Sequence, residues 1–297
     1  MRTGGLFTLI LAWLFVTACD RSPAIAPAPD AAGARSFDTR GVVREIAPDR
    51  TRAVIRHEEI PGYMPRMTME LTVREPRELE GIAEGDEITF RLHATADTHW
   101  IDHLQRAGRS AEPPAVATPL FVAKDVPELK PGDKMPDAEF VSETGQPVRL
   151  SGFRGSALAF TFFFTRCPLP DYCPRMNAHF RDARAWLLEH TPAVTNWQFL
   201  CVSFDAEFDK PAVLAGYASA FRGGNRDRWL FAVASPEVLA DVAPRLDLMV
   251  AREGGSLSHN LRTVVLDPHG RVFRQFDGNT WTPEELAAAV AEAAVGR

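Results

Sequence analysis

The chain has 297 residues, 45% of them apolar and 24% charged. That balance belongs to a globular protein, not to a disordered, collagen-like or polytopic membrane one. The 33 Lys and Arg against 39 Asp and Glu leave a net charge of −6, which argues against nucleic acid as a partner. Four cysteines in this length are too few for a disulfide scaffold, so each is read on its own.

Arg2 precedes an almost wholly apolar run over residues 6–16 that ends in Thr17-Ala18-Cys19. The run is too short to span a bilayer and suits the apolar region of a secretory signal. A small-residue site ending in Cys resembles the bacterial lipoprotein signal. The resemblance implies loss of a signal peptide, residues 1–18, and lipidation of Cys19, giving a protein anchored to a membrane without spanning it. Asp20, next in line, resembles an inner-membrane retention signal. The expected location is the bacterial cell envelope, lipid-anchored on the periplasmic side of the inner membrane, where thiols meet oxidising conditions. Residues 19–37, rich in Pro and Ala without an apolar period, read as a tether.

Residues 38–106 predict five short strands, over 41–46, 53–57, 67–73, 87–93 and 100–104, separated by Pro, Gly and Asp turns. Five strands in so short a segment suggest a small all-β closed barrel of the OB kind. Three of the chain's seven methionines, Met64, Met67 and Met69, fall within six residues here. Met67 and Met69 are two apart, so a strand points them to one face. His57 ends the preceding strand, and the Pro61-Gly62 turn between them allows its imidazole to lie opposite the two sulfurs. One imidazole and two thioethers suit Cu(I) or Ag(I) and attract Mg, Ca or Zn poorly. Here the chain resembles the copper- and silver-binding periplasmic domain of the CusF type, in the strand-end His57 and in Pro65-Arg66-Met67-Thr68-Met69. That family often has Trp before its Pro. Met64 stands there instead, in a loop one residue shorter, as a fourth sulfur ligand or a hydrophobic lid. His93, His99 and His103 are scattered by strand periodicity and read as exposed polar residues.

Residues 107–127 read as a linker. From 128 to 297 strands and helices alternate: strands over 157–164, 197–204, 229–233, 262–266 and 272–276, and helices over 174–190, 211–222, from 236 to 246 and from 283 onward. This is an α/β pattern around one sheet. Cys167 and Cys173 follow the first of these strands, with Pro174 read as the first helical residue and Cys173 as the helix cap. A thiol there feels the helix N-terminus, which lowers its pKa. Such a pair can close a disulfide or hold a soft ion. His259, in a Gly/Ser-rich loop, is the candidate third ligand. Cys201, inside an apolar run, reads as a core residue, and Met176 as core-facing. His179, His190 and His269 read as surface residues.

Residues 128–297 resemble the Sco/SenC family of thioredoxin-like copper proteins. The matching residues are Gly132-Asp133 with Pro136, the run from Phe162 through Cys167-Pro168, Cys173-Pro174-Arg175-Met176, Ser203-Phe204-Asp205 through Asp209, and His259 before Asp267-Pro268. The resemblance implies a copper site of two Cys and one His, here Cys167, Cys173 and His259. It also implies a partner, the copper-bearing subunit of cytochrome c oxidase, whose dinuclear centre receives the metal. Five residues separate the cysteines where the family usually has three, and Asn260 replaces a small residue. Asp205 could tune the site or cap the next loop. The expected function is that of a membrane-anchored copper metallochaperone with two separate sites. The alternatives are a thiol-disulfide oxidoreductase using Cys167 and Cys173 and a copper-buffering resistance protein.

Overall fold

The computed structural model describes residues 33–95, 98–111, 118–253 and 256–296. The signal peptide and the lipidation of Cys19 lie outside the described residues. No described helix is long and apolar enough to cross a membrane.

The first sheet is antiparallel and contains β1 (Arg35–Ile46), β2 (Arg52–His57), β3 (Met67–Thr72), β4 (Asp86–Ala94) and β5 (His99–Arg109). Its spatial order is β3-β2-β1-β4-β5. The alternation of apolar and polar residues puts Val43, Ile55, Leu71, Ile88, Phe90, Leu92 and Ile101 on one buried face, as a half-covered sheet requires. β1 pairs with β4 along one half and with β2 along the other, and a bulge follows Val43. Where the strands converge, a Cβ on Gly41 would lie 2.6 Å from the Arg56 carbonyl oxygen and 2.9 Å from the His57 Cα, so the close approach requires glycine. The expected closed barrel is an open, curled sheet. Its edge strands β3 and β5 come together at a bridge between Val73, just past β3, and Ile101, and at the contact of His99 with the Glu70 carbonyl.

The second part contains β6 (Thr118–Pro119), β7 (Glu139–Ser142), β8 (Pro147–Arg149), β9 (Ala157–Phe163), α1 (Cys173–His190), β10 (Trp197–Ser203) and α2 (Pro211–Arg222). It continues with β11 (Trp229–Val233), α3 (Pro236–Arg245), β12 (Val250–Glu253), β13 (Ser256–His259), β14 (Arg262–Leu266), β15 (Val272–Asp277) and α4 (Pro283–Val295). Seven of these strands form a sheet in the order β15-β14-β9-β10-β11-β7-β8. β9, β10 and β11 run parallel at its centre. Every residue of β9 is buried, the mark of a strand covered on both faces. Prolines open α2, α3 and α4, and Ser235 and a Thr282/Glu285 capping box satisfy the first amides of the last two helices.

β12 and β13 form a hairpin whose first strand pairs with β6. Within the stretch read as a linker, residues 107–109 complete β5 and Thr118 and Pro119 pair with β12. The described chain beyond Asp30 forms a single compact unit. The loop after β9, which carries the cysteines, leaves the C-terminal edge of the parallel strands, where open α/β sheets place their binding crevices.

Candidate metal centre between the two sheets

On the first sheet, His57 pairs directly with Met67, and Ile55 with Met69. Opposed residues of an antiparallel pair share a face, so the hairpin brings His57, Met67 and Met69 together on the buried side. His57 is 1% exposed, Met67 4% and Met69 5%. The Nδ1 atom of His57 lies 2.5 Å from the Glu58 carbonyl oxygen, an acceptor, so Nδ1 carries the proton. Nε2 is then an unprotonated lone pair, buried without a hydrogen-bond partner. Burial lowers the His57 pKa, opposed by the Glu58 hydrogen bond, which keeps the ring neutral. A buried imidazole nitrogen with its opposite nitrogen fixed on a carbonyl, beside two sulfurs, fits a soft cation. Met64 is buried in the same core and held by backbone bonds to Ile60.

The second set begins at the end of β9. Asp209 accepts from the backbone amide of Thr165 at 3.0 Å and from its hydroxyl, and also from Ser203. Arg166 donates to Asp205 at 2.6 and 3.1 Å. These two buried carboxylates anchor the residues just before Cys167. Asp205 thus holds Arg166 in place. Tyr172 caps α1, so Cys173 is the first helical residue and Pro174 the second. The expected loop histidine, His259, instead ends strand β13. Its Nδ1 donates to the Asn260 carbonyl at 2.8 Å, leaving Nε2 3.4 Å from the Cys173 sulfur. Phe164, Phe204 and Tyr172 wall the imidazole. Asn260 ties its side chain to the backbone of Met249 and Asp247.

The thiols divide opposite to expectation. Burial opposes the Cys167 thiolate, but hydrogen bonds from Cys173 and His259 and the charge of His259 outweigh it, bringing Cys167 down to about 5. Cys173 is 0% exposed. Its burial, with the hydrogen bond to Cys167 and the charge there, pushes its thiol well above the ordinary value. Helix-end stabilisation of Cys173 loses to desolvation, and Cys167 becomes the ionised partner. Both cysteines are free thiols. Among the described residues, no three His, Cys, Asp or Glu side chains are already closed into a metal cage.

Members of the two sets line one cavity. This cavity of about 200 Å³ is lined by Met67 and Met69 from one sheet and by Cys167, Leu169, Tyr172 and His259 from the other part. Cys167 packs against both hydrophobic cores. Leu169, 4% exposed, belongs to the core of the first sheet. Asp171, also between the cysteines, accepts from His99 Nδ1 at 2.7 Å, and its carbonyl accepts from Asn279 at 2.5 Å. His99 also lies 3.3 Å from the Glu70 carbonyl. His99 was expected to be exposed but is 3% exposed, because it stands at the open seam between β5 and β3 and the cysteine loop covers it. The five-residue spacing is therefore a docking loop. His93 and His103 both contact the Asp102 carboxylate, and only His103 is exposed. His190 and His269 are exposed, whereas His179 is half-buried against Trp281. Cys201 and Met176 are fully buried.

A family model described as SCO1/SenC matches residues 127–295, more than half of the chain. The chain belongs to the SCO1/SenC family. A second model, that of the copper binding periplasmic protein CusF, matches residues 36–106. A SCO1/SenC family lipoprotein from Bacillus anthracis aligns with a TM-score of 0.50 at 22% identity, over 56% of this chain and 99% of its own. Arabidopsis thaliana ScoI with copper bound aligns at 0.47 and 19% identity, over 56% and 100% of the two chains. BsSco, described as a member of the Sco family of cytochrome c oxidase assembly proteins, aligns at 0.47 and 23%, over 59% and 100%. No curated protein matches. The SCO1/SenC segment thus carries the thioredoxin-like fold together with Cys167, Cys173 and His259, and the CusF segment carries His57, Met64, Met67 and Met69.

Proposed function

We propose that this SCO1/SenC protein is a copper metallochaperone. It captures Cu(I) at His57, Met67 and Met69, with Met64 as a buried lid, and holds it for delivery at Cys167, Cys173 and His259. The observation that carries this reading is the buried, unpartnered Nε2 of His57 on the methionine face, with a second sulfur-and-imidazole set across the cavity. Thiolates hold Cu(I) more tightly than thioethers, so transfer runs downhill toward the cysteines. The family resemblance supports the copper-bearing subunit of cytochrome c oxidase as the recipient. The CusF match and the amino-terminal sequence favour a periplasmic protein lipid-anchored at Cys19. The test is an anaerobic Cu(I) titration of the reduced chain. Two equivalents are expected, and Cys167→Ser with Cys173→Ser should leave one. An unchanged stoichiometry would overturn the cysteine assignment.

A second reading, thiol-disulfide exchange, is favoured by the Cys167 thiol at about 5 with Cys173 beside it as the resolving thiol. In that case the Cys167/Cys173 pair would reduce a protein disulfide at a rate indifferent to copper, and its Cu(I) affinity would be weak.

A further inference from the structure

The proposed handover has a spatial order. His57 lies beside Met67, as its cross-strand partner, and does not line the cavity. Met67, Met69, Cys167 and His259 do line it. Cys173 does not: it is fully buried, with its sulfur 3.4 Å from His259 Nε2. Four of the six donor-bearing residues thus line one cavity, together with Val54, Thr68 and Glu70, and the other two adjoin them, His57 as the cross-strand neighbour of Met67 and Cys173 as the hydrogen-bonding neighbour of His259. A cavity of about 200 Å³ has room for an ion with its ligands drawn inward. Leu169, seated in the first sheet's core, and the His99 contact to Asp171 hold the two sides of that space together.

Resting on the metallochaperone reading, we propose a third, mixed Cu(I) site in this cavity, formed by the thioethers of Met67 and Met69, the Cys167 sulfur and the His259 imidazole. It serves as the intermediate through which copper crosses without release to water. The bond to His57 Nε2 breaks as the bond to Cys167 Sγ forms. The bond to His259 Nε2 forms next and completes the mixed site; one methionine bond then breaks, and the other breaks as the bond to Cys173 Sγ forms and the Cys173 thiol proton leaves to solvent. Copper remains Cu(I) throughout, and no electron is exchanged. Three-coordinate Cu(I) exchanges soft ligands one at a time, so donors placed in this way allow passage by successive replacement.

The test removes both adjoining ligands from the full reduced chain, as His57→Ala with Cys173→Ala, and titrates it with Cu(I) against a chromophoric chelator. One equivalent is expected. Selenium-edge absorption of the selenomethionine-substituted protein should show copper as a neighbour. Adding Met67→Leu and Met69→Leu, which keep the core volume, should weaken binding at least tenfold and remove the selenium signal. Circular dichroism of each variant separates loss of the site from loss of fold. Undiminished binding in the variant lacking both methionines would overturn the mixed site. The wild-type chain distinguishes the two levels: two equivalents there with no methionine dependence in the variant defeats the mixed site alone, whereas no binding there defeats the metallochaperone reading itself.

Discussion

The two donor sets each contribute two residues to one cavity but differ in what can disturb them. His57, Met67 and Met69 are neutral donors with no proton to lose on binding and no thiol to oxidise. Cys173 must lose a proton to bind, and the two cysteines can close on each other. The first set is held by strand pairing, which fixes its geometry locally. The second is assembled from the end of β9, the start of α1 and the end of β13, so it depends on tertiary contacts. One end suits uptake under variable conditions, and the other suits controlled retention.

The contrast is broken most directly through thiol reactivity. With Cys167 ionised down to about 5 and Cys173 held protonated by burial, iodoacetamide at neutral pH should modify Cys167 at least ~100-fold faster. The rate at Cys167 should fall only as pH drops through about 5, because thiolate persists above the folded pKa. Cys173→Ala removes a hydrogen bond to that thiolate and should move the midpoint upward. Peptide mapping against pH checks both, and faster labelling of Cys173 would reverse the assignment.

The next effect concerns what joins the two ends. Leu169→Ala removes a buried side chain from the first sheet's core and should cost about 2–3 kcal/mol, seen as a lower thermal midpoint. A change confined to exposed-loop size would show that the plug carries little weight. His99→Ala and Asp171→Ala should each cost about 1–3 kcal/mol. Their double variant should cost clearly less than the sum, since each single change strands the same partner. Simple additivity in denaturant unfolding would dissolve that link.

The smallest effect sharpens the thioether end. Burial lowers the His57 pKa, so its ring stays neutral to a more acidic pH than an exposed histidine. In the chain with both cysteines changed to Ser, Ag(I) binding should therefore persist below pH ~6.5 and decline only in more acid solution. Loss of binding above that value would contradict it.

Much of the fold was legible because its signals are local. The strands over 229–233 and 262–266 and the helix over 211–222 coincide with the structure to the residue, since apolar runs bounded by Pro, Gly and Asp specify them. β7, β8, β12 and β13 are only three or four residues long, too short for a period to show in the sequence, so His259 read as a loop residue. The His57, Met67 and Met69 face followed from strand periodicity alone. Which thiol ionises did not, because it turns on burial that only tertiary structure creates. His99 and Asp171 are 72 residues apart, and nothing near either signals the other. The unusual cysteine spacing was visible as a departure, but its meaning lay in a partner surface elsewhere in the chain.

Leu169 also bears on how this protein can be taken apart. A fragment keeping the cysteine loop but trimmed of the front sheet would leave a leucine stranded in water, and the front sheet alone would carry a vacancy where that leucine belongs. Grafting, truncation or ancestry reconstruction must treat the lengthened loop and the front sheet as one heritable piece.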